Sequence, residues 1–295
     1  MRTCVILNPA AGGGCSPERI RESVFSIPGA ELRVSPTPDS VRPIALEAVA
    51  EGFERIVAAG GDGTVSLLAS ALLDSGVDVE CGLLPIGTGN DLALSLGVPT
   101  QPERAVALLR GGEATPIDAI HASAHAATIP DLHAWNAVVG GFGGRIADRL
   151  SPGMKRRWRS LAYVRAAVAE LNELRPRRVL LEIDGRHIEQ EIRMLVIANG
   201  CYAGGGIPFA PGGRVDDGWL DVVVIRAASP VRLSVLIPRV LAGRHLADPD
   251  VEHTRARTVS VEAESGFWFN VDGETWTSGS ATFGLRPHAL PFVRP

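Results

Sequence analysis

The sequence is organised around Gly60-Gly61-Asp62-Gly63-Thr64. Residues 55–59 (RIVAA), just before it, form a short, branched, apolar run that suits a buried strand. Residues 65–73 (VSLLASALL), just after it, are too long and too periodic for a strand and suit a helix. The motif is therefore a strand-to-helix turn. Glycine at such a turn lets the backbone approach a ligand closely, and the open N–H groups at the helix start attract an anion, most often phosphate. Asp62 adds a carboxylate able to hold a magnesium ion beside that phosphate. The competing reading is a tight turn with no ligand.

The turns around it support the phosphate reading. Residues 3–7 (TCVIL) read as a first strand, and Asn8-Pro9-Ala10-Ala11-Gly12-Gly13-Gly14 as a loop feeding a helix near Ser16, with Pro17 suited to the first helical position. A short strand over residues 32–35 leads into Thr37-Pro38-Asp39-Ser40, which caps a helix. Residues 82–85 (GLLP) form another short strand, ending in Ile86-Gly87-Thr88-Gly89-Asn90-Asp91 and a further helix. Strands alternating with helices predict a doubly wound parallel sheet, with the ligand at the carboxyl ends of the strands and the Gly- and Thr-rich turns on one rim. Lys155 is the sole lysine, so the lysine that a Walker-type phosphate loop places after its second glycine is absent. A nucleotide site here has to use backbone amides and small donor side chains.

From Thr115 the pattern changes. Short branched or alternating runs at 135–139, 179–183, 193–198, 220–225, 258–263, 267–271 and 281–285, separated by Gly, Pro and Asp, predict an antiparallel sandwich. Helices are expected only at about 160–174 and 231–241. The expected domains are an α/β unit over residues 1–118 and a β-rich unit over 119–295, whose last ~15 residues are candidates to pack back on the first. A formal net charge of -4 and a pI near 6.0 give no basic field, so nucleic acid is not an expected partner. The scattered Cys4, Cys15, Cys81 and Cys201 form no CxxC pair and read as small apolar residues in a reducing compartment. With neither a leader peptide nor a long apolar run evident, the expected location is cytoplasmic, with any lipid met from the surface at the inner face of a membrane.

By this point the residues resemble a known family. GGDGT at 60–64, NPAAGGG at 8–14, LPIGTGNDLA at 84–93, GGGIPFAPGGRVDDGWLDV at 204–222 and VDGE at 271–274 together are similar to the diacylglycerol kinase catalytic family, in its bacterial soluble lipid-kinase branch. The resemblance runs in order over nearly the whole chain. It implies an N-terminal α/β domain like those of NAD kinases and phosphofructokinases, a C-terminal antiparallel β-sandwich, ATP and Mg2+ in the cleft between them, and transfer of the γ-phosphate to a lipid hydroxyl. Diacylglycerol or a related lipid at a membrane surface is the implied partner, and a homodimer is left open.

The resemblance also implies roles for particular residues. Asn8, Pro9, Ala10, Ala11 and Gly12 of the first turn, Thr37, Gly60 to Thr64, and Thr88, Asn90 and Asp91 match positions that hold ATP. Asp62 would act through magnesium, and Asp118 resembles a carboxylate of the same magnesium network. The carbonyl of Arg214, the side chain of Asp217 and the carbonyl of Trp219 match a separate metal loop, against the alternative of an ordinary Asp-Asp-Gly turn. Either Asp272 or Glu274 would be the general base. An extended segment would put both on one face, whereas Asp-Gly is also a hairpin-turn dipeptide.

One departure stands out. After GGDGT and an apolar residue the family commonly has Asn-Glu, and here Ser66-Leu67 follow Val65, which removes a carboxylate from the catalytic network. Two alternatives stay open: a soluble-metabolite kinase of the NAD kinase type, which shares GGDGT and a β-rich second domain, and, because of this departure, a non-catalytic lipid-binding or regulatory protein on the same scaffold. His121, His125 and His133 are expected in a solvated loop rather than at a metal. Lys155-Arg156-Arg157-Trp158-Arg159 reads equally as a membrane-facing basic patch or as a charged helix start.

Overall fold

The computed structural model describes residues 1–11, 17–125, 130–141 and 176–295. Gly12, Cys15, the basic segment 155–159 and the expected helix at 160–174 lie outside the described residues. The chain divides into two compact units, Met1–Asp118 with Pro287–Pro295, and Ala119–Arg286. The final residues thus belong to the first unit.

In the first unit, β1 (Thr3–Leu7), β2 (Ala30–Val34), β3 (Arg55–Gly60) and β4 (Glu80–Pro85) form a parallel sheet in the order β4-β3-β1-β2. They alternate with α1 (Pro17–Phe25), α2 (Val41–Ala50), α3 (Asp62–Ser75), α4 (Asp91–Ser95) and α5 (Pro102–Gly111). Every residue of β1 and β3 is buried, as expected of parallel strands covered on both faces. Val5, Leu7, Val57 and Ala59 pack with Ile20 and Val24 of α1 and with Val106 and Leu109 of α5. The side chains of Cys4, Ile6, Ile56 and Ala58 alternate to the other face, where α2 and α3 pack on each other and on β1 and β3. Cys4 and Cys81 are packed strand residues; burial pushes the Cys4 thiol up to about 11, and the Cys81 thiol is also raised by burial. Because all four strands run the same way, the turns that follow them emerge at one end of the sheet.

The second unit is antiparallel. Its strands are β5 (Glu113–Ala124), which enters from the first unit, then β6 (Leu132–Ala134), β7 (Ala137–Gly141), β8 (Arg177–Ile183), β9 (Arg186–Ala198), β10 (Leu220–Arg226), β11 (Val251–Ala256), β12 (Thr258–Val271) and β13 (Glu274–Arg294). β8 pairs with the first halves of β9 and β12, and β7 with their second halves. The enclosed core holds Phe267, Phe269, Phe283 and Trp276, with Phe269 centred 5.1 Å from Phe267 and from Phe283 and 5.4 Å from Trp276. Helix α6 (Pro230–Leu241) packs Leu233, Leu236 and Val240 with Val196, Val223 and Ile225.

Several elements differ from expectation. The two runs at 258–263 and 267–271 are one strand, β12, with a register shift between Glu262 and Phe267. β13 continues past residue 285 through Pro287 and Pro291; its pairing with β12 ends at Gly284, it also pairs with β5, and Phe292 stands opposite Cys81 of β4. The polar VEHTRA of β11 forms an edge strand that carries no apolar pattern. His121 and His133 lie not in a loop but directly opposite each other on β5 and β6, and His121 Nε2 is 3.2 Å from Asp131. Among the described residues no group of three or more His, Cys, Asp or Glu could hold a metal ion, and no helix is long and apolar enough to cross a membrane.

Phe269 is fully buried whereas Phe25 is 69% exposed. Phe269→Ala should destabilise the second unit by about 3–5 kcal/mol, and Phe25→Ala by no more than about 0.5 kcal/mol. Urea unfolding followed by circular dichroism measures both.

Candidate active site

The first unit gathers its turns through backbone contact. At the end of β1, the Asn8 amide donates to the Ala59 carbonyl (3.0 Å), its Nδ2 donates to Thr64 Oγ1 (2.9 Å), and its Oδ1 accepts from the Ala10 amide (3.0 Å). One side chain thus fixes the first turn to the start of α3. Gly60 is obligatory, since a Cβ there would fall 2.5 Å from the Thr64 side chain. The turns after β3 and β4 lie backbone against backbone: a Cβ on Gly87 would sit 2.3 Å from Gly61 Cα. The Ile86 amide donates to the Gly60 carbonyl (3.0 Å). Asn90, in the left-handed region at φ 56°, accepts the Gly87 amide on Oδ1 (3.0 Å) and donates Nδ2 to the Gly87 carbonyl (2.9 Å), which locks the second turn.

Asp62 opens α3, half-buried, and its Oδ1 accepts the Leu92 amide of α4 (3.2 Å). Gly61 precedes it in extended conformation and brings no side-chain cap. An α-helix leaves its first amides without intrahelical acceptors, so this end of α3 presents N–H groups over glycine backbone, which suits an anion. Gly63 and Thr88 are exposed there, as are Pro9 and Ala10, while Ala11 is half-buried and Asp91 is buried. Thr37 is exposed just past β2, whose end is tied to β1 by the Ser35 amide on the Leu7 carbonyl (2.8 Å). Asp118 differs from these. It is fully buried, and its Oδ1 accepts the amide of His288 (2.8 Å), itself in the left-handed region at φ 49°. As the unit stands, the Asp118 carboxylate is closed to solvent and holds the returning end of β13.

In the second unit, residues 271–274 are not extended. Val271 pairs with Glu274, and Asp272 (φ 46°) and Gly273 (φ 106°) form the two-residue turn between β12 and β13. Positive φ at both central positions is what the primed hairpin turns require, and Asp-Gly supplies it, so the expectation of two carboxylates on one face is corrected. The two acids now have different surroundings. The Asp272 carboxylate accepts the amides of Trp135, Asn136 (3.2 Å) and Ala137 (3.0 Å). Glu274 is exposed. Sequence reading missed the partners of this turn: Asn136, whose Nδ2 donates to the Tyr202 carbonyl, and buried Asn199, whose Nδ2 donates to the Trp135 carbonyl (2.9 Å). Their only signal was asparagine at the ends of apolar runs.

The Arg214–Trp219 loop is held by charged side chains. Asp217 Oδ1 accepts the Trp219 amide (3.2 Å), and Arg255 Nη1 lies 3.3 Å from Asp217 Oδ2. A divalent ion bound by Asp217 and the Arg214 and Trp219 carbonyls would stand beside that guanidinium. A double and a single positive charge at about 4 Å repel by about 2 kcal/mol even at the dielectric of water. With Arg255 in place, a divalent cation on the predicted ligand set would have to compete with that guanidinium for Asp217.

Residues 2–122 match the diacylglycerol kinase catalytic domain, and residues 136–294 match the YegS C-terminal NAD kinase beta sandwich-like domain. The chain is 33% identical over 267 residues to a probable lipid kinase YegS-like protein of Pseudomonas putida, covering 90% of this chain and 85% of that protein. It is 29% identical to a diacylglycerol kinase of Mycobacterium tuberculosis, covering 100% of this chain and 95% of that one. The crystal structure of a diacylglycerol kinase from Bacillus anthracis superposes with a TM-score of 0.77 at 21% identity, over 100% of this chain and 97% of that one, and shows the same fold.

The Gly61–Gly87 approach predicts that Gly87→Ala weakens nucleotide binding by about tenfold or more, an estimate for loss of one charge-assisted amide contact, while circular dichroism stays native. The two acids should separate by readout. Asp272→Ala strands three amides and should lower stability by about 2–3 kcal/mol, whereas Glu274→Gln, at an exposed site, should leave it within about 0.5 kcal/mol. Differential scanning fluorimetry of the pair measures the contrast.

Proposed function

This chain belongs to the diacylglycerol kinase catalytic domain family, and from that premise we propose that it transfers the γ-phosphate of ATP to the hydroxyl of a lipid, diacylglycerol being the first acceptor to test. The observation that carries the reading is the Gly61–Gly87 contact. It removes side-chain bulk from two adjacent turns at the carboxyl ends of β3 and β4, beside the open start of α3. Phosphoryl transfer asks the protein to position the phosphates, to offset their charge and to accept the hydroxyl proton. Amides of residues 61–64 and 87–89, with Asn8 and Thr64 fixed to each other, would cradle the phosphates in place of the absent lysine. Magnesium, when bound with ATP, offsets phosphate charge, and Asp62 is the rim carboxylate with oxygen ligands suited to hold it.

Asp272 and Glu274 divide the work at the second unit's turn. Asp272 spends its oxygens on the amides of residues 135–137, which supports a positioning role. Glu274 follows directly on that fixed turn and is exposed, which supports it as the proton acceptor for the lipid hydroxyl. Ser66 and Leu67 lie on α3, one turn in from the rim, where the family commonly has Asn-Glu. The charge work then falls more heavily on Asp62.

Incubation of the purified protein with labelled ATP, magnesium and diacylglycerol micelles should place label in the lipid and none in NAD offered in parallel. Glu274→Gln should lower transfer by about a hundredfold or more. Label in NAD but not in lipid would overturn the reading, and ATP binding with label in neither would identify a non-catalytic protein.

A further inference from the structure

Two side chains of β11, His253 and Arg255, and Arg257 just past its end all reach the same short stretch. Arg255 stands directly opposite Asp221 of β10 in the antiparallel register, with Nε 3.5 Å from Asp221 Oδ1 and Nη1 3.3 Å from Asp217 Oδ2. His253, two residues back, places Nε2 2.6 Å from the same Asp221 oxygen. Arg257, two residues on, lays its guanidinium 4.8 Å from the centre of the Trp219 ring. Side chains two apart on a strand share a face, so His253 and Arg255 are aligned by the pleat, and Arg257 joins them from the bend that follows. Asp221 is 4% exposed, and an added Cβ on Gly213 would lie 3.1 Å from its Oδ2, so the loop is wrapped closely around this carboxylate. A buried carboxylate needs a partner charge, and here the strand next door supplies it.

We propose that Arg255 is the resident cation of the 214–219 loop, doing in this protein the structural work for which the loop would otherwise need a divalent metal ion. Its guanidinium bridges Asp217, the one side chain of the predicted metal set, to Asp221, the first residue pair of the β10–β11 ladder but one, and so ties the loop to the sheet. A planar, permanently charged group with several donors suits two carboxylates that are fixed by different elements. Arg257 on Trp219 completes the clamp by holding the loop's last residue. This inference concerns loop structure alone and stands apart from the phosphoryl-transfer reading.

The test uses full-length, nucleotide-free protein, followed by thermal melting and by the electron paramagnetic resonance signal of free Mn2+. In the wild type, melting should be the same in magnesium chloride and in EDTA. Arg255→Gln should melt lower in EDTA and regain about 5 °C with magnesium at roughly a hundred times its dissociation constant. It should also take up one Mn2+ that the wild type does not, and the further change Asp217→Asn should abolish that uptake. Arg255→Lys, which keeps a cation, should remain insensitive to metal. A wild-type protein stabilised by magnesium through Asp217 would overturn the proposal, as would an Arg255→Gln variant that melts like the wild type or ignores metal.

Discussion

The approach of Gly61 to Gly87 is the constraint on which the first unit's chemistry depends. Parallel strands side by side bring their following turns to one end, and ordinary residues would keep those turns apart by the thickness of a Cβ. Glycine in both turns closes that gap, and the consequences extend outward. Gly60 makes room for Thr64, Thr64 receives Asn8 from β1, and Asn90 locks the turn from the other side. The result is a rim of amides held by neutral side chains. The sole lysine, Lys155, lies outside the stretch that forms this unit, so the unit has no lysine to offer a phosphate.

In the second unit a comparable economy governs charge. Acids close in sequence have been given different tasks by their backbone. Asp272, forced into a left-handed turn, points its oxygens at three amides, while Glu274 two residues later enters a strand with its carboxylate exposed. Asp217 and Asp221 are likewise tied to one strand's arginine and histidine. Asp118 in the first unit anchors the His288 amide. Carboxylates that serve as hydrogen-bond acceptors for backbone set the geometry, and those left in solvent remain available for chemistry.

The legible parts were those coded locally. The strand-turn-helix around Gly60 could be read because a branched apolar run, glycines and a helical period follow one another without interruption, and residues 55–75 fold that way. The switch to antiparallel structure after Thr115 was similarly visible in short branched runs. What could not be read depends on partners far along the chain. Arg255 meets Asp217 from 38 positions away, on a strand whose VEHTRA sequence has no apolar alternation because it sits at a sheet edge. Asp272 finds its amides at residues 135–137, so its role was invisible where it stands in the sequence. The run expected at 281–285 is only part of β13, which reaches Arg294, because its later pairing is with distant strands.

The central claim is that glycine-rich backbone, rather than a lysine, receives the nucleotide phosphates. Amide chemical shifts of the 15N-labelled protein, followed while ATP is added, test it most directly. The account predicts the largest shifts at Gly61, Gly63, Thr64, Gly87, Thr88 and Gly89. Saturable ATP binding that leaves those amides unmoved and shifts others instead would contradict it.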